Sequence, residues 1–548
     1  MPNDIYLDIL GPPFSITVDE DSAYLDRLLA NYRNAVDDVR KSTGLKDKDA
    51  LKIAVLTGFS LCDELEKLKI VMEKGDEEEQ KTLQRTLGLF SRLDEAMEKL
   101  KLPDMSGKEE IPAKTGAPVP QSAAVPSLPL YKLQNTVKHY EWGSPMHIPA
   151  LLGADNSQGT PWAELWMGVH PAGPSRIAGG KAFTNKPSTP SQAGELGLGD
   201  LIAADPERCL GRSAAKNFGG LPFLFKLLAA AKPLSIQAHP NREQAREGWR
   251  RENERGIPPE APNRNYRDER HKPEILCALN PFTAMCGFRP PGEIGFLLAK
   301  CFEGGSPSLR EGIKPLEKAL AGENPLKAFL EALFRLSPET LGELTAYARE
   351  TILPDGEWDL VGRFAALYPG DPGIIAPLYL NILQLMPGEA VYLPAGVLHA
   401  YVHGFAVELM ANSDNVLRGG LSSKHLDPGE LLSVLDFKPC RPMILNPRPA
   451  GNGLSRYETP CREFSLQVMR SRGGTALFPE KGPSIVIVTE GRLRVNGGEE
   501  KKPGGGNWTL ARGESAFIPA REGQDEAGPL AFSGAYTLYI ASLPPELS

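Results

Sequence analysis

The stretch LPDMSGKEEIPAKTGAPVPQSAAVPSLP, residues 102–129, is rich in Pro, Ala and Ser and almost free of large apolar side chains. A segment of that composition cannot bury enough surface to offset its chain entropy, so it reads as a flexible linker. It divides the chain into a short head, residues 1–101, and a long body that starts near Leu130. Length agrees with the division, because 548 residues exceed what one hydrophobic core supports.

In the head, Ile5, Leu7 and Ile9 alternate with polar residues, a Gly-Pro-Pro turn follows, and Phe14, Ile16 and Val18 alternate again. Period two on either side of a turn predicts a hairpin with one apolar face. Asp19, Glu20, Asp21 and Ser22 then offer caps and acidic first-turn residues for a helix striped by Tyr24, Leu28, Tyr32, Ala35 and Val39. A second helix from about Ala50 carries Leu61, Leu65, Leu68 and Met72, and Leu83, Leu87, Phe90, Met97 and Leu100 resume the seam after an acidic break. Spacing of four and three predicts a long helix and coiled coil, or a helical hairpin packed on its own domain. No catalytic constellation occurs here. The hairpin, YLDRLLANYRNAVDDVRK and DALKIAVLTGFSLCDELEKLK together resemble ZapA, a small bacterial cell-division protein that assembles through a coiled coil and bundles FtsZ filaments. The resemblance implies an α+β head that forms a homo-oligomer through residues 1–101, with FtsZ as a candidate contact.

From Leu130 the texture changes to short apolar runs split by Gly and Pro, which read as strands with helices in the minority. A jelly-roll or similar double-sheet fold is the class such a pattern predicts. Leu234-Ser235-Ile236 leads into Gln237 and His239 before Pro240 ends the run. Residues two apart on a strand face the same way, so this amide and imidazole converge. His271, Lys272 and Glu274 cluster ahead of the apolar run Ile275–Leu279. Far downstream, MPGEAVYLPAGVLHAYVHGF has the form of a cupin strand pair, with His399 where the second strand begins and Tyr401 on the same face.

Gln237, His239, Glu274 and His399 therefore offer an amide oxygen, two imidazoles and a carboxylate from distant segments. That set suits Zn²⁺ or another divalent first-row metal and leaves room for water or substrate. The seven cysteines are scattered and form no Cys-x-x-Cys, which argues against a thiolate zinc site or a disulfide frame and for a reducing compartment.

QAHPN, HKPE, LNPFTAMCGFRP, LPAGVLHAY and VELMANSDNVLRGGL, preceded by YEWGS and AELWMGVHP, are similar to type I mannose-6-phosphate isomerase (phosphomannose isomerase) over residues 130–548. The resemblance implies one zinc ion per chain on Gln237, His239, Glu274 and His399. It also implies reversible conversion of mannose 6-phosphate to fructose 6-phosphate through a cis-enediol. The family's active-site groups match Lys226, Ser235, His271, Lys272, Glu408, Asp414 and Arg418. Arg418 is expected against the reacting oxygens, because a guanidinium stays charged and offers a planar fork of donors. The alternative for it is a salt bridge with Asp414, four residues earlier. His271, Lys272, Glu408 and Asp414 all stand as candidates for the proton carrier. Lys226, Ser235, Tyr401 and Lys424 are expected to bind substrate, Lys424 together with Arg418 through the phosphate. Here the chain departs from the family's Gly-Leu-Thr-Pro-Lys, because Ser422-Ser423 replaces Thr-Pro and frees the backbone before Lys424.

Between Pro290 and Tyr379 apolar spacing turns to three and four, which predicts an all-α insertion over 291–375. The catalytic cupin then comprises 130–290 and 376–445. A second cupin over 446–548 shows no His or carboxylate in ligand position. A net charge of −8 argues against nucleic acid and anionic membranes as partners. No signal peptide and no run of about 18 apolar residues is evident, so the expected place is the cytoplasm. Two other readings remain open from residues alone: a division-associated scaffold with a vestigial or sensory sugar-phosphate-binding body, and a cupin metalloenzyme acting on another sugar phosphate.

Overall fold

The computed structural model describes residues 3–7, 14–18, 128–181, 195–351, 356–497, 506–521 and 530–547. The helices and seam expected over 19–100, and the linker up to residue 127, lie outside the described residues. The chain divides into two compact units, Met1–Val119 and Pro120–Ser548. In the first, strands Asn3–Leu7 and Phe14–Val18 pair antiparallel, with Ile5 opposite Ile16 and Leu7 opposite Phe14. The alternating apolar positions thus fall in register, as the sequence pattern predicts.

The second unit is mainly β with helices. Its described residues form an 11-stranded and a 10-stranded sheet. Strand Phe223–Ala230, FLFKLLAA, is buried throughout, which is why its sequence runs apolar without alternation. Its odd positions Phe223, Phe225, Leu227 and Ala229 join a core shared with Leu466, Val468, Ile485, Phe517 and Tyr539 of the second sheet. Its even positions Leu228 and Ala230 join an interior cluster with Leu276, Phe282, Ala284, Tyr401 and Ala406. A third cluster joins Met285, Phe288, Ala400 and Val402 to the helices, through Ile294, Leu298, Phe329, Trp358 and Phe364. The 11-stranded sheet therefore folds around its own interior, with the other sheet on one outer face and helices on the other.

Strand His399–Ala411 ties these layers together. Its first part pairs with Phe282–Phe288, and its second part pairs with Phe223–Ala230 and Glu274–Ala278. The register shifts where Thr283 faces His403 but Ala284 faces Tyr401, so Val402 is an extra residue. An extra residue reverses parity along a strand. Tyr401 before the bulge and Ala406 after it consequently face one interior. Gly404 beyond the bulge has φ 134, and a Cβ there would stand 2.5 Å from the Phe282 ring.

Helices Pro291–Phe302, Pro307–Leu320, Pro325–Leu333, Pro338–Glu350 and Gly356–Leu367 occupy the stretch expected to be helical. Four begin with Pro, whose fixed φ suits a first turn. The Ser306 and Ser337 hydroxyls cap two of them by accepting from the Leu309 and Thr340 amides.

One expectation needs correction. Sheet membership does not divide at residue 446. Tyr131–Gln134, Arg176–Lys181 and Glu195–Gly197 belong to the 10-stranded sheet with the carboxy-terminal strands, and Tyr131–Gln134 pairs with Ser515–Ile518. Tyr131, Leu133, Ile177 and Leu196 enter the core shared by both sheets. Period two says which face of a strand is apolar but not which sheet receives it.

Candidate metal centre

Gln237 lies in the three-residue strand Ile236–Ala238, opposite His399 on one neighbouring strand and opposite Arg418 on the other. Directly opposed residues share a face, so this register gathers three of the expected site residues in one row. His239 follows at the strand's end. Glu274 opens strand Glu274–Ala278 opposite Met410 and Leu393. His239, Glu274 and His399 are each buried, and one ligand atom from each falls within 4.8 Å of the others. The Gln237 amide nitrogen stands 3.4 Å from His399 Nε2. Amide orientation follows from hydrogen-bond assignment, and the flipped amide would present its oxygen instead.

Both imidazoles are aimed by their other nitrogen. His239 Nδ1 lies 2.8 Å from the Asn415 carbonyl, and His399 Nδ1 lies 2.9 Å from the Val397 carbonyl. A carbonyl only accepts, so Nδ1 carries the proton and Nε2 keeps a lone pair directed inward. His239 Nε2 is buried without a hydrogen-bond partner, although Glu274 Oε1 stands 3.3 Å away. Two acceptors therefore face each other in a dry place, an arrangement a cation resolves. Burial, then the Lys272 charge, pulls the His239 pKa down to about 4, so its ring is neutral near pH 7. Burial alone would raise Glu274, but Lys272 and then His239 outweigh it and hold the carboxyl well below its usual range. Nitrogen and oxygen donors in this number fit zinc.

Around the ligands stands a ring of paired charges. Lys272 Nζ lies 2.9 Å from Glu274 Oε1. Tyr401, expected against substrate, is instead buried, and its hydroxyl donates to Glu274 Oε2 at 3.4 Å. Lys226, also expected against substrate, is buried between Glu408 at 3.0 Å and Glu164 at 3.4 Å. Burial opposes the Lys226 charge, but Glu164 and then Glu408 outweigh it and raise its pKa. Glu408, Lys226 and Trp166 form one row across three strands, and the Trp166 indole donates to Glu164 Oε2 at 2.8 Å. Ser235 is half-buried, two residues before Gln237.

His271 sits apart from the ligands. Its Nε2 lies 2.8 Å from Glu463 Oε1, which also accepts from Arg242 at 2.6 Å. Asp414 is paired with His170, not with Arg418: His170 Nε2 stands 3.2 Å from Asp414 Oδ2, while the Ala172 amide donates to His170 Nδ1. Burial would raise the Asp414 pKa, but the His170 contact and the Lys272 charge bring it below the usual value. The Arg418 guanidinium has neither a hydrogen bond nor an ion pair among the described residues. Burial and then the Arg267 charge lower its pKa, and burial, Arg418 and Arg267 lower that of exposed Lys424. These three cations repel one another, and at Lys424 the Glu164 charge offsets only part of that.

Sequence reasoning missed His170, Arg267 and Asn415. His170 stood in a quoted motif without a role, and no period or spacing marks a buried imidazole that serves a carboxylate so distant in the chain.

Residues 130–291 match the sequence profile of the phosphomannose isomerase type I catalytic domain, and residues 5–101 match that of the cell division protein ZapA. Mannose-6-phosphate isomerase of Escherichia coli (strain K12) is 36% identical over 398 residues, which span 72% of this chain and 95% of that protein. The chain belongs to the mannose-6-phosphate isomerase family. The Rattus norvegicus mannose-6-phosphate isomerase is 32% identical over 425 residues, spanning 72% of this chain and 94% of its own. A zinc-bound crystal structure of mannose 6-phosphate isomerase superposes with a TM-score of 0.65 at 33% identity, covering 76% of this chain and 99% of that one. A glutamate-to-alanine variant of phosphomannose isomerase from Salmonella typhimurium gives the same TM-score, identity and coverage. Mannose-6-phosphate isomerases are thus matched over nearly their own full length, and the ZapA match lies ahead of the catalytic-domain match.

Proposed function

We propose that the chain interconverts mannose 6-phosphate and fructose 6-phosphate in a cupin-type body that holds one zinc ion on Gln237, His239, Glu274 and His399. The buried, partnerless Nε2 of His239 facing the Glu274 carboxylate carries this reading. When bound, zinc supplies a fixed positive charge that steadies the oxyanion developing as a proton moves between C2 and C1.

The chain's own residues do the rest. Arg418, Lys424 and Arg267 leave a cationic corner suited to a phosphate. Lys272 balances Glu274 beside the reacting carbons. Of the four candidates for the proton carrier, Asp414 is favoured. It is half-exposed, ionised and aimed by His170, whereas Glu408 is buried against Lys226 and His271 is engaged by Glu463. Tyr401 and Lys226 act from behind, by fixing Glu274 and Glu408.

The test is elemental analysis of purified protein beside an isomerase assay, with mannose 6-phosphate and glucose 6-phosphate as competing substrates. Zinc at one per chain and preference for the mannose ester are expected. A His399→Ala protein that keeps both zinc and turnover would overturn the ligand set, and wild type with neither zinc nor turnover would overturn the reading and favour the vestigial scaffold. For the head, the ZapA likeness supports self-association through residues 1–101 and, beyond it, contact with FtsZ. Co-sedimentation with FtsZ filaments, with and without those residues, tests the second point. The six described cysteines are all free, which accords with work in a reducing cytoplasm.

A further inference from the structure

The helical insertion returns to the sheets through Asp371, which caps the 3-10 turn Pro372–Ile375. Its Oδ1 accepts from the Gly373 amide at 2.7 Å, and its Oδ2 accepts from the Ser422 amide at 3.4 Å. No cation pairs with it among the described residues. A partly buried carboxylate is thus satisfied by main-chain donors, Gly373 on its own turn and Leu421 and Ser422 across on the turn after Gly420. That second turn holds Leu421 at φ 53, in the left-handed region, with its side chain buried. A branched apolar residue takes that conformation only where the surroundings impose it.

The approach of the two turns is close. Gly420 has φ 132, and a Cβ on it would stand 2.7 Å from Asp371 Oδ1 and 2.9 Å from Gly373 Cα. A Cβ on Gly373 would stand 2.7 Å from Ile236 Cδ1, and Ile236 is the register partner of Gly420. The exit of the insertion therefore abuts both the Gln237 strand and the Arg418 strand. Ser422 passes the constraint on, because its Oγ accepts from the Lys424 amide at 3.1 Å. That bond closes a local turn where Thr-Pro was expected, and it gives Ser422-Ser423 a way to fix the backbone before Lys424.

We propose that Asp371 is a positioning residue for the phosphate end of the substrate: it locks the Leu421–Ser422 turn so that Arg418 and Lys424, on either side, converge on one anion. This rests on the isomerase reading and gives the helical insertion a part in substrate binding. Asp371 does not touch the reacting atoms, so its loss weakens binding more than turnover.

The experiment compares full-length wild type with Asp371→Ala, Asp371→Asn and Ser422→Ala. Asp371→Ala is expected to raise KM for mannose 6-phosphate about 10-fold and to weaken competitive inhibition by inorganic phosphate by the same factor, as misplacement of a binding group does. Its zinc content should stay at the wild-type level, and kcat should fall much less than KM rises. Asp371→Asn keeps one acceptor oxygen and should recover part of the loss, and Ser422→Ala should shift both constants in the same direction by less. An Asp371→Ala protein with unchanged KM and unchanged phosphate inhibition overturns the proposal. Loss of zinc or of kcat in step with KM also overturns it. Should the alanine variant fail to fold, Asp371→Asn carries the same comparison. Calorimetric titration with inorganic phosphate separates the two readings, since wild type that binds phosphate without turnover defeats the isomerase reading alone.

Discussion

At the scale of single residues, the centre depends on groups that never reach the cation. Asn415 is the densest example. Its carbonyl receives His239 Nδ1, its Oδ1 accepts from the Arg267 and Asp268 amides at 2.7 and 3.2 Å, and its Nδ2 donates to the Asp268 and Arg270 carbonyls. One buried residue thus aims His239 by its main-chain carbonyl and, by its side chain, ties that carbonyl to the segment leading to Lys272 and Glu274. Asn415→Ala should weaken zinc affinity about 10–100-fold in competition with a chelator, the usual loss when an outer support of a ligand goes. Glu408→Ala would leave Lys226 buried beside Glu164 alone. Breaking such a pair costs about 3–5 kcal/mol, and a lowered urea midpoint would show it. Glu463 supplies a pH test. Burial raises its pKa, but the His271 hydrogen bond and charge outweigh that and take it to about 2, against an ordinary 4.5. A depressed carboxylate adds stability above its unfolded pKa and loses it as pH falls through the folded one. Wild type should therefore lose stability between pH 4.5 and 2, and Glu463→Gln should flatten that slope in urea titrations at successive pH values.

At the scale of elements, the ligand segments were legible because each carries its signal locally. Gln237 and His239 sit two apart at a strand end, Glu274 opens an apolar run, and His399 follows a Pro-Gly turn and strand. The helices were legible too, since Pro and Ser stood ahead of apolar residues at three and four. What could not be read was relational. The extra residue Val402 has no mark of its own in the sequence, yet it lets Tyr401 and Glu408 look into one interior. Nor could a half-open Asp414 be told from a buried Glu408 when both are carboxylates in strand-like settings. Gly404 exposes the dependence on that bulge. A methyl group there would press on Phe282 at a φ that disfavours any side chain. Gly404→Ala should destabilise by about 1–3 kcal/mol from overpacking alone and should lower zinc retention, because His399 and Glu408 lie on either side of it. Equal zinc content in the two proteins would tell against the bulge as an aligner.

At the scale of the whole molecule, head and body carry separate chemistry. Mannose-6-phosphate isomerases of E. coli and rat are covered almost end to end by the body. A chain starting at Pro120 should therefore keep isomerase turnover and lose self-association, with sizing chromatography and the assay run side by side. Chelation should abolish turnover and lower the melting temperature, and added zinc should restore both. The strand Tyr131–Gln134 sets how such a fusion works. It is the first described strand of the second unit, and it is hydrogen-bonded between Ser515–Ile518 and Arg176–Lys181 in the sheet that lacks the ligands. Any pull from the amino-terminal side enters the body there, is resisted by ladders on both flanks, and must cross a shared core before it reaches His399. The body's first described strand therefore lies in the wall opposite the one that carries His399, with the shared core between them, so a load applied at that strand is spent on its two ladders before it reaches the ligands.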